Sequence, residues 1–142
     1  FLGYHPWAGE ITQARSGALI ASESGVALSH GIANAQERGI LFIEPGMDIY
    51  EGMEVGLHSR ENDLVVNVCR AKKLTNIRSS TSDISVKLVP PQPPSLERSL
   101  TLIAEDELVE VTPKSLRLRK EFLDPVSRDR AAKRKIAAAI EV

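Results

Sequence analysis

The chain has 142 residues, of which 42% are hydrophobic, 26% charged and 4% aromatic, and its formal net charge is -1. That length and apolar content suit one domain with its own core and exclude wholesale disorder or a complete multidomain machine. Scattered rings (Phe1, Tyr4, Trp7, Phe42, Tyr50 and Phe122) argue against an extended base-stacking platform, and Cys69, being alone, excludes an internal disulfide.

No secretory signal pattern and no apolar run of membrane-spanning length occurs, so the sequence reads as cytoplasmic and without a membrane partner. It opens FLGYHPW without an initiator Met and is read as a fragment or a processed product. Charge is segregated along it. Residues 1 to 63 hold three Lys/Arg against nine Asp/Glu, and residues 64 to 142 hold fifteen against ten. A near-zero total therefore conceals an acidic first part and a basic second part.

In chain order, SGALIAS (16 to 22) is a short apolar run that predicts a strand. GVALSHGIANAQERG predicts a helix over roughly 26 to 38, with Val26, Leu28, Ile32 and Ala35 as its apolar stripe and Gly39 as its C-cap. Gly31 inside it costs about 1 kcal/mol of helix propensity, so the helix is expected to need a seat against a sheet. ILFI (40 to 43) ends at Pro45 and Gly46. MEVGLHS (53 to 59) and residues 64 to 69 flank a polar turn at 60 to 63 and predict an antiparallel hairpin.

ISVKLV (84 to 89) alternates and predicts a return to the same sheet, which makes 70 to 83 a loop anchored at both ends. PPQPP (90 to 94) is a stiff connector. Ser95 predicts the cap of a short helix through 96 to 103 with Leu96, Leu100 and Ile103 at helical spacing. LVEVT (108 to 112) and SLRLRK (115 to 120) predict a hairpin around Pro113 and Lys114, and Asp124 with Pro125 predicts a last, basic helix. The expected fold class is α/β or α+β: a compact mixed or mainly antiparallel sheet, a few short helices and a protruding basic loop. Residues 1–123 form the domain, and 124–142 a terminal helix or tail.

Catalytic chemistry finds little support in these residues. Neither GxGxxG nor GxxxxGK[ST] occurs, and Gly25 reads as turn geometry. His5, His30 and His58 lack zinc-site spacing with Cys69, which reads as a packed strand residue rather than a nucleophile. Glu44, Asp48, Glu51 and Glu54 form an acidic run that reads as a solvated face or a docking face rather than an acid–base pair. No metal or cofactor is assigned to the chain, and no catalytic residue.

The stretch CRAKKLTNIRSSTSD (69 to 83) is different. Its structural reading is a soluble surface loop. Its functional reading is a nucleic-acid contact in which Arg70, Lys72, Lys73 and Arg78 meet phosphates while Thr75, Asn76, Ser79, Ser80 and Thr81 hydrogen-bond to phosphate, ribose or base edges. A loop held between strands suits irregular RNA surfaces, where shape and 2′-hydroxyl contacts replace major-groove reading. Arg117, Arg119 and Lys120 add a second set of RNA-binding candidates, with the wet side of a half-buried strand as the structural alternative. RDRAAKRK offers a further backbone-contacting surface or a solvated terminal helix.

Several adjoining motifs (QERG, YEG, GLHSRENDL, KKLTN and ELVEVTPKS) appear in an order and spacing that resembles the C-terminal domain of the TypA/BipA family of translational GTPases, over nearly the whole chain. That resemblance implies a ribosome-bound parent, similar to elongation factor G in its GTPase and neighbouring domains and associated with ribosome biogenesis and stress adaptation. It implies GTP and Mg in a domain outside these residues, and no hydrolysis by this chain. It also implies that the loop Ala71 to Asp83, through Lys72, Lys73, Leu74, Thr75, Asn76 and Arg78, reaches toward the A-site tRNA acceptor end and the peptidyl-transferase region of 23S-type rRNA. RSSTSDI departs from the family's usual RASGTDE, placing Thr81 where glycine is common and Ile84 where glutamate is usual. The alternative to an RNA contact is an intramolecular or protein–protein docking domain that uses the acidic half against neighbouring domains.

Overall fold

The computed structural model describes residue 3, residues 16–71 and residues 87–140. In chain order the elements are β1 (Ala18–Ala21), β2 (Gly25–Val26), α1 (Ser29–Gln36), β3 (Gly39–Leu41), β4 (Asp48–Ile49), β5 (Met53–His58), β6 (Leu64–Val66), α2 (Leu96–Leu102), β7 (Glu107–Val111), β8 (Leu116–Lys120) and α3 (Pro125–Ile140). The main sheet runs β6-β1-β5-β8-β7, with β3 also on β5, and β2 with β4 makes a separate ribbon. It is mixed and mostly antiparallel, as the fold class predicts, since only β1 and β6 run parallel.

Every side chain of β1 is buried, and Leu19 and Val55 are fully enclosed. A strand without a wet face belongs in the middle of a sheet. That explains the main correction to the sequence reading: the hairpin expected from 53 to 59 with 64 to 69 does not form. β6 leaves β5, steps over the end of β1 and pairs with β1's far edge. The crossing is made by the polar turn, where Gly17 N–H donates to Arg60 O at 2.7 Å and Ala18 N–H to Asp63 Oδ1 at 2.8 Å. A Cβ on Gly17 would stand 2.2 Å from the Asn62 carbonyl oxygen, so the close crossing needs glycine.

The helix expected over 26 to 38 is shorter. Gly25 and Val26 pair with Ile49 and Asp48, Ala27 N–H donates to Met47 O, and Gly46 N–H donates to Ala27 O. These bonds draw the first residues into the ribbon, leaving Val26 and Leu28 exposed while Ile32 and Ala35 face the core. Gly39 is not a C-cap: the helix ends at Glu37, and Gly39 opens β3 against His58. The return strand expected at 84 to 89 is described only from 87, and residues 87–89 are not in a strand.

Ser95 caps α2 as predicted, accepting from Arg98 N–H at 3.2 Å, but the expected apolar stripe points outward: Leu96 and Leu100 are exposed, and Ser99 is the buried residue. The hairpin of β7 and β8 forms in the predicted place, closed by Thr112 and Ser115, and Asp124 caps α3 by accepting from Ser127 N–H at 2.8 Å. No helix among the described residues is long and apolar enough to cross a membrane.

Candidate nucleic-acid interface

The basic stretch starts from a well-anchored place. Val68 is buried in the core cluster, and its carbonyl accepts from Leu28 N–H at 2.9 Å. Gly31 brings α1 against it: a Cβ there would lie 2.4 Å from Val68 O. On the other side, Leu88 packs on the core and Val89 is gripped by Gln36, whose Nε2 donates to Val89 O at 2.7 Å and whose Oε1 accepts from Val89 N–H at 3.1 Å. A primary amide thus completes the backbone pairing that a strand partner would have made. Gln92 N–H then donates to Leu41 O at 2.9 Å. Both flanks of 72 to 86 are therefore fixed to one helix, at positions five residues or about 7.5 Å apart along its axis. Gln36 was not singled out in the sequence, since a glutamine near a helix end carries no signal of a distant partner.

Of the predicted RNA-binding residues, Arg70 is exposed where the chain leaves the core. Lys72, Lys73, Thr75, Asn76, Arg78 and Ser79 lie outside the described residues. The three cations of β8 have separate fates. Arg117 is half-buried, and its Nε lies inside the protein without a hydrogen-bond partner among the described residues. Arg119 is half-buried too, and its Nη1 donates to Lys120 O at 3.1 Å and Glu121 O at 3.4 Å.

Lys120 requires correction. Its side chain is only 2% exposed, and its Nζ sits 2.5 Å from Asp63 Oδ2, 3.0 Å from Asp106 Oδ2 and 2.8 Å from Glu107 Oε1. Burial alone would lower its pKa, but hydrogen bonds to Asp63, Glu107 and Asp106 outweigh that and hold it above the ordinary lysine value. This ammonium ties β8 to β7 and to the turn before β6, and is withdrawn from any outside phosphate. Alternation along SLRLRK puts Lys120 on the face of Leu116 and Leu118 rather than on that of Arg117 and Arg119, and the burial of Leu118 and Lys120 follows that period.

The other candidates follow the structural readings. Cys69 packs on the core, and burial, then the charge of Glu23, push its thiol pKa above the ordinary value, which disfavours a thiolate. His58 is buried and donates from Nδ1 to Asn62 O. Among the described residues no three His, Cys, Asp or Glu side chains are grouped to hold a metal ion.

The described residues thus form a small mixed sheet on which α1 meets the chain on both sides of residues 72–86, at Val68 and at Val89. The chain belongs to the TypA/BipA C-terminal domain family, whose model matches residues 16–125. It is 47% identical over 141 residues to a large ribosomal subunit assembly factor BipA of Bacillus subtilis, covering 99% of this chain and 23% of that protein. Like-named proteins of Synechocystis (48% over 120 residues) and Salmonella typhimurium (49% over 123) match 84% and 87% of the chain and 20% of their own length. The chain thus spans about a fifth to a quarter of these relatives.

Proposed function

We propose that this domain docks a translational GTPase on the ribosome through the cationic segment that begins at Arg70 and continues through Lys72, Lys73, Thr75, Asn76, Arg78 and Ser79. Its partners are 23S-type rRNA and the acceptor end of an A-site tRNA. GTP and Mg belong to a domain of the parent outside these residues, and the work is done in the cytoplasm, in ribosome assembly or stress-adapted translation. Residues 1–123 act as the docking domain and 124–142 as its terminal helix.

One observation carries this reading: both flanks of the segment are fixed to α1, one through Val68 and one through Val89. Fixed flanks lower the entropy lost when a charged segment settles on RNA. The names of the relatives, each a large ribosomal subunit assembly factor, support the choice of partner. Photo-crosslinkers at positions 70, 73 and 78 of the full-length protein on ribosomes should label 23S-type rRNA or tRNA. Labelling confined to the protein's own chain would overturn the reading.

A second reading is docking against a neighbouring domain. Glu44 and Asp48 are exposed around the β2–β4 ribbon, with no cation of the described residues paired to them. If that face carries the function, Glu44→Gln with Asp48→Asn will impair ribosome docking more than Lys72→Ala with Lys73→Ala.

A further inference from the structure

The acidic part of the chain contains two described arginines, Arg38 and Arg60, and the fold brings Arg38 to a hollow it shares with Arg70 and to an adjoining one it shares with Arg60. A cleft of about 250 Å³ lies between α1 and β6, with Gly31 and Ala35 on the helix side, Leu64, Val65 and Val66 on the strand side, and Arg38 and Arg70 at its margin. A second hollow of about 340 Å³ adjoins it, sharing Arg38 and Leu64 and adding Arg60 and Asn62. Arg38 thus borders both hollows, with Arg70 at the first and Arg60 at the second, and the two together form a trough.

All three are exposed, and no ion pair or side-chain hydrogen bond engages any of them among the described residues. With no carboxylate of the described residues paired to these guanidinium groups, an anionic ligand supplies the counter-charge they lack. Glu37, the acidic residue at the second hollow, leaves the trough cationic. Gly31 and Ala35, both buried, close its inner side, while Val65, 50% exposed, offers an apolar surface for a sugar or base. Asn34 and Asn62 supply amides able to donate and accept.

We infer that this trough is a second RNA-binding site, in which Arg38, Arg60 and Arg70 hold successive phosphates of a single-stranded or looped RNA while a ribose or unstacked base lies against Val65. The inference rests on the proposed ribosomal role but not on the residues beyond Ala71. Guanidinium groups fit phosphate oxygens in pairs, which favours arginine at such a track. One hollow lies below and the other just above the low end of the ~300–1,000 Å³ usual for free small molecules, and both are open, which suits part of a polymer rather than an enclosed metabolite.

The test compares full-length wild type, Arg38→Gln/Arg60→Gln and Lys72→Ala/Lys73→Ala for binding to purified ribosomes over a potassium chloride series, together with crosslinking from positions 34 and 65. The arginine pair should lower the magnitude of the slope of log affinity against log salt by about 1.5, two phosphate contacts' worth, with an unchanged melting midpoint. Arg38→Lys/Arg60→Lys should restore most of the slope, and positions 34 and 65 should label RNA. An unchanged slope, or labelling of a ribosomal protein instead of RNA, overturns the inference. The lysine variant separates the two claims: if it alone weakens binding, the trough fails and the proposed function stands, whereas if neither variant changes the slope, both fail.

Discussion

The ammonium of Lys120 has exchanged water for three carboxylates, and the exchange governs both its role and its response to pH. Asp63 and Asp106 remain partly wet, so they soften the loss when the cation is removed, whereas the Glu107 side chain is fully enclosed. Lys120→Met should therefore cost about 3 kcal/mol, the low end for breaking a buried pair, and Glu107→Gln in the same chain should recover part of it; urea unfolding measures both. Because the folded pKa of Lys120 is raised, its contribution is complete below the unfolded value near ~10.4 and is lost as pH climbs through the folded value. Tyr50 acts in the same direction. Burial first, then the hydrogen bond to Glu110 at 2.9 Å and that residue's charge, push its phenol up to about 12, against the opposing pull of Arg119 and Arg117. Tyr50→Phe should remove the component titrating near 12 from the alkaline absorbance titration of tyrosine. Persistence of that component would show that it belongs to another group.

At the scale of elements, α1 is the pier of the proposed interface, and its composition explains itself only in three dimensions. Gly31 looks costly to a helix until Val68 O is seen where its Cβ would be. Gly31→Ala gains helix propensity of about 1 kcal/mol but forces the helix off its seat, and a net loss of about 1–2 kcal/mol is expected in thermal unfolding. Gln36→Ala removes both bonds to Val89 at a cost of about 1 kcal/mol, and should speed hydrogen exchange at the Val89 amide more than at the core amides of β1 and β5. Local chemistry made some elements readable: Ser95 and Asp124 announced helix starts, and alternation around Pro113 and Lys114 announced the β7–β8 hairpin. Period-two alternation identifies a strand without choosing its partner, so β5 and β6 were paired through their short turn although β1 stands between them. Nor could periodicity reveal that the ribbon bonds of Ala27 would shorten α1.

On the scale of the whole molecule, the charge asymmetry seen along the chain is refolded rather than preserved. Lys120 of the basic part is buried with Asp63 of the acidic part, while Arg38 of the acidic part shares a hollow with Arg70 of the basic part. The basic segment stands out in the sequence because its residues are contiguous and include the KKLTN motif, although residues 72–86 lie outside the described ones. The arginine trough does not, because its members meet only after β6 crosses β1 and α1 packs on Val68. The proposed docking surface joins the segment that begins at Arg70 to the exposed arginines beside α1, and like charges grouped in this way are what electrostatic docking on RNA uses. The most direct measurement of that claim is ribosome binding by the full-length protein across a salt series, wild type against Lys72→Ala/Lys73→Ala. The account predicts weaker binding and a shallower salt slope for the variant with an unchanged melting midpoint; equal affinity and equal slope at every salt concentration would contradict it.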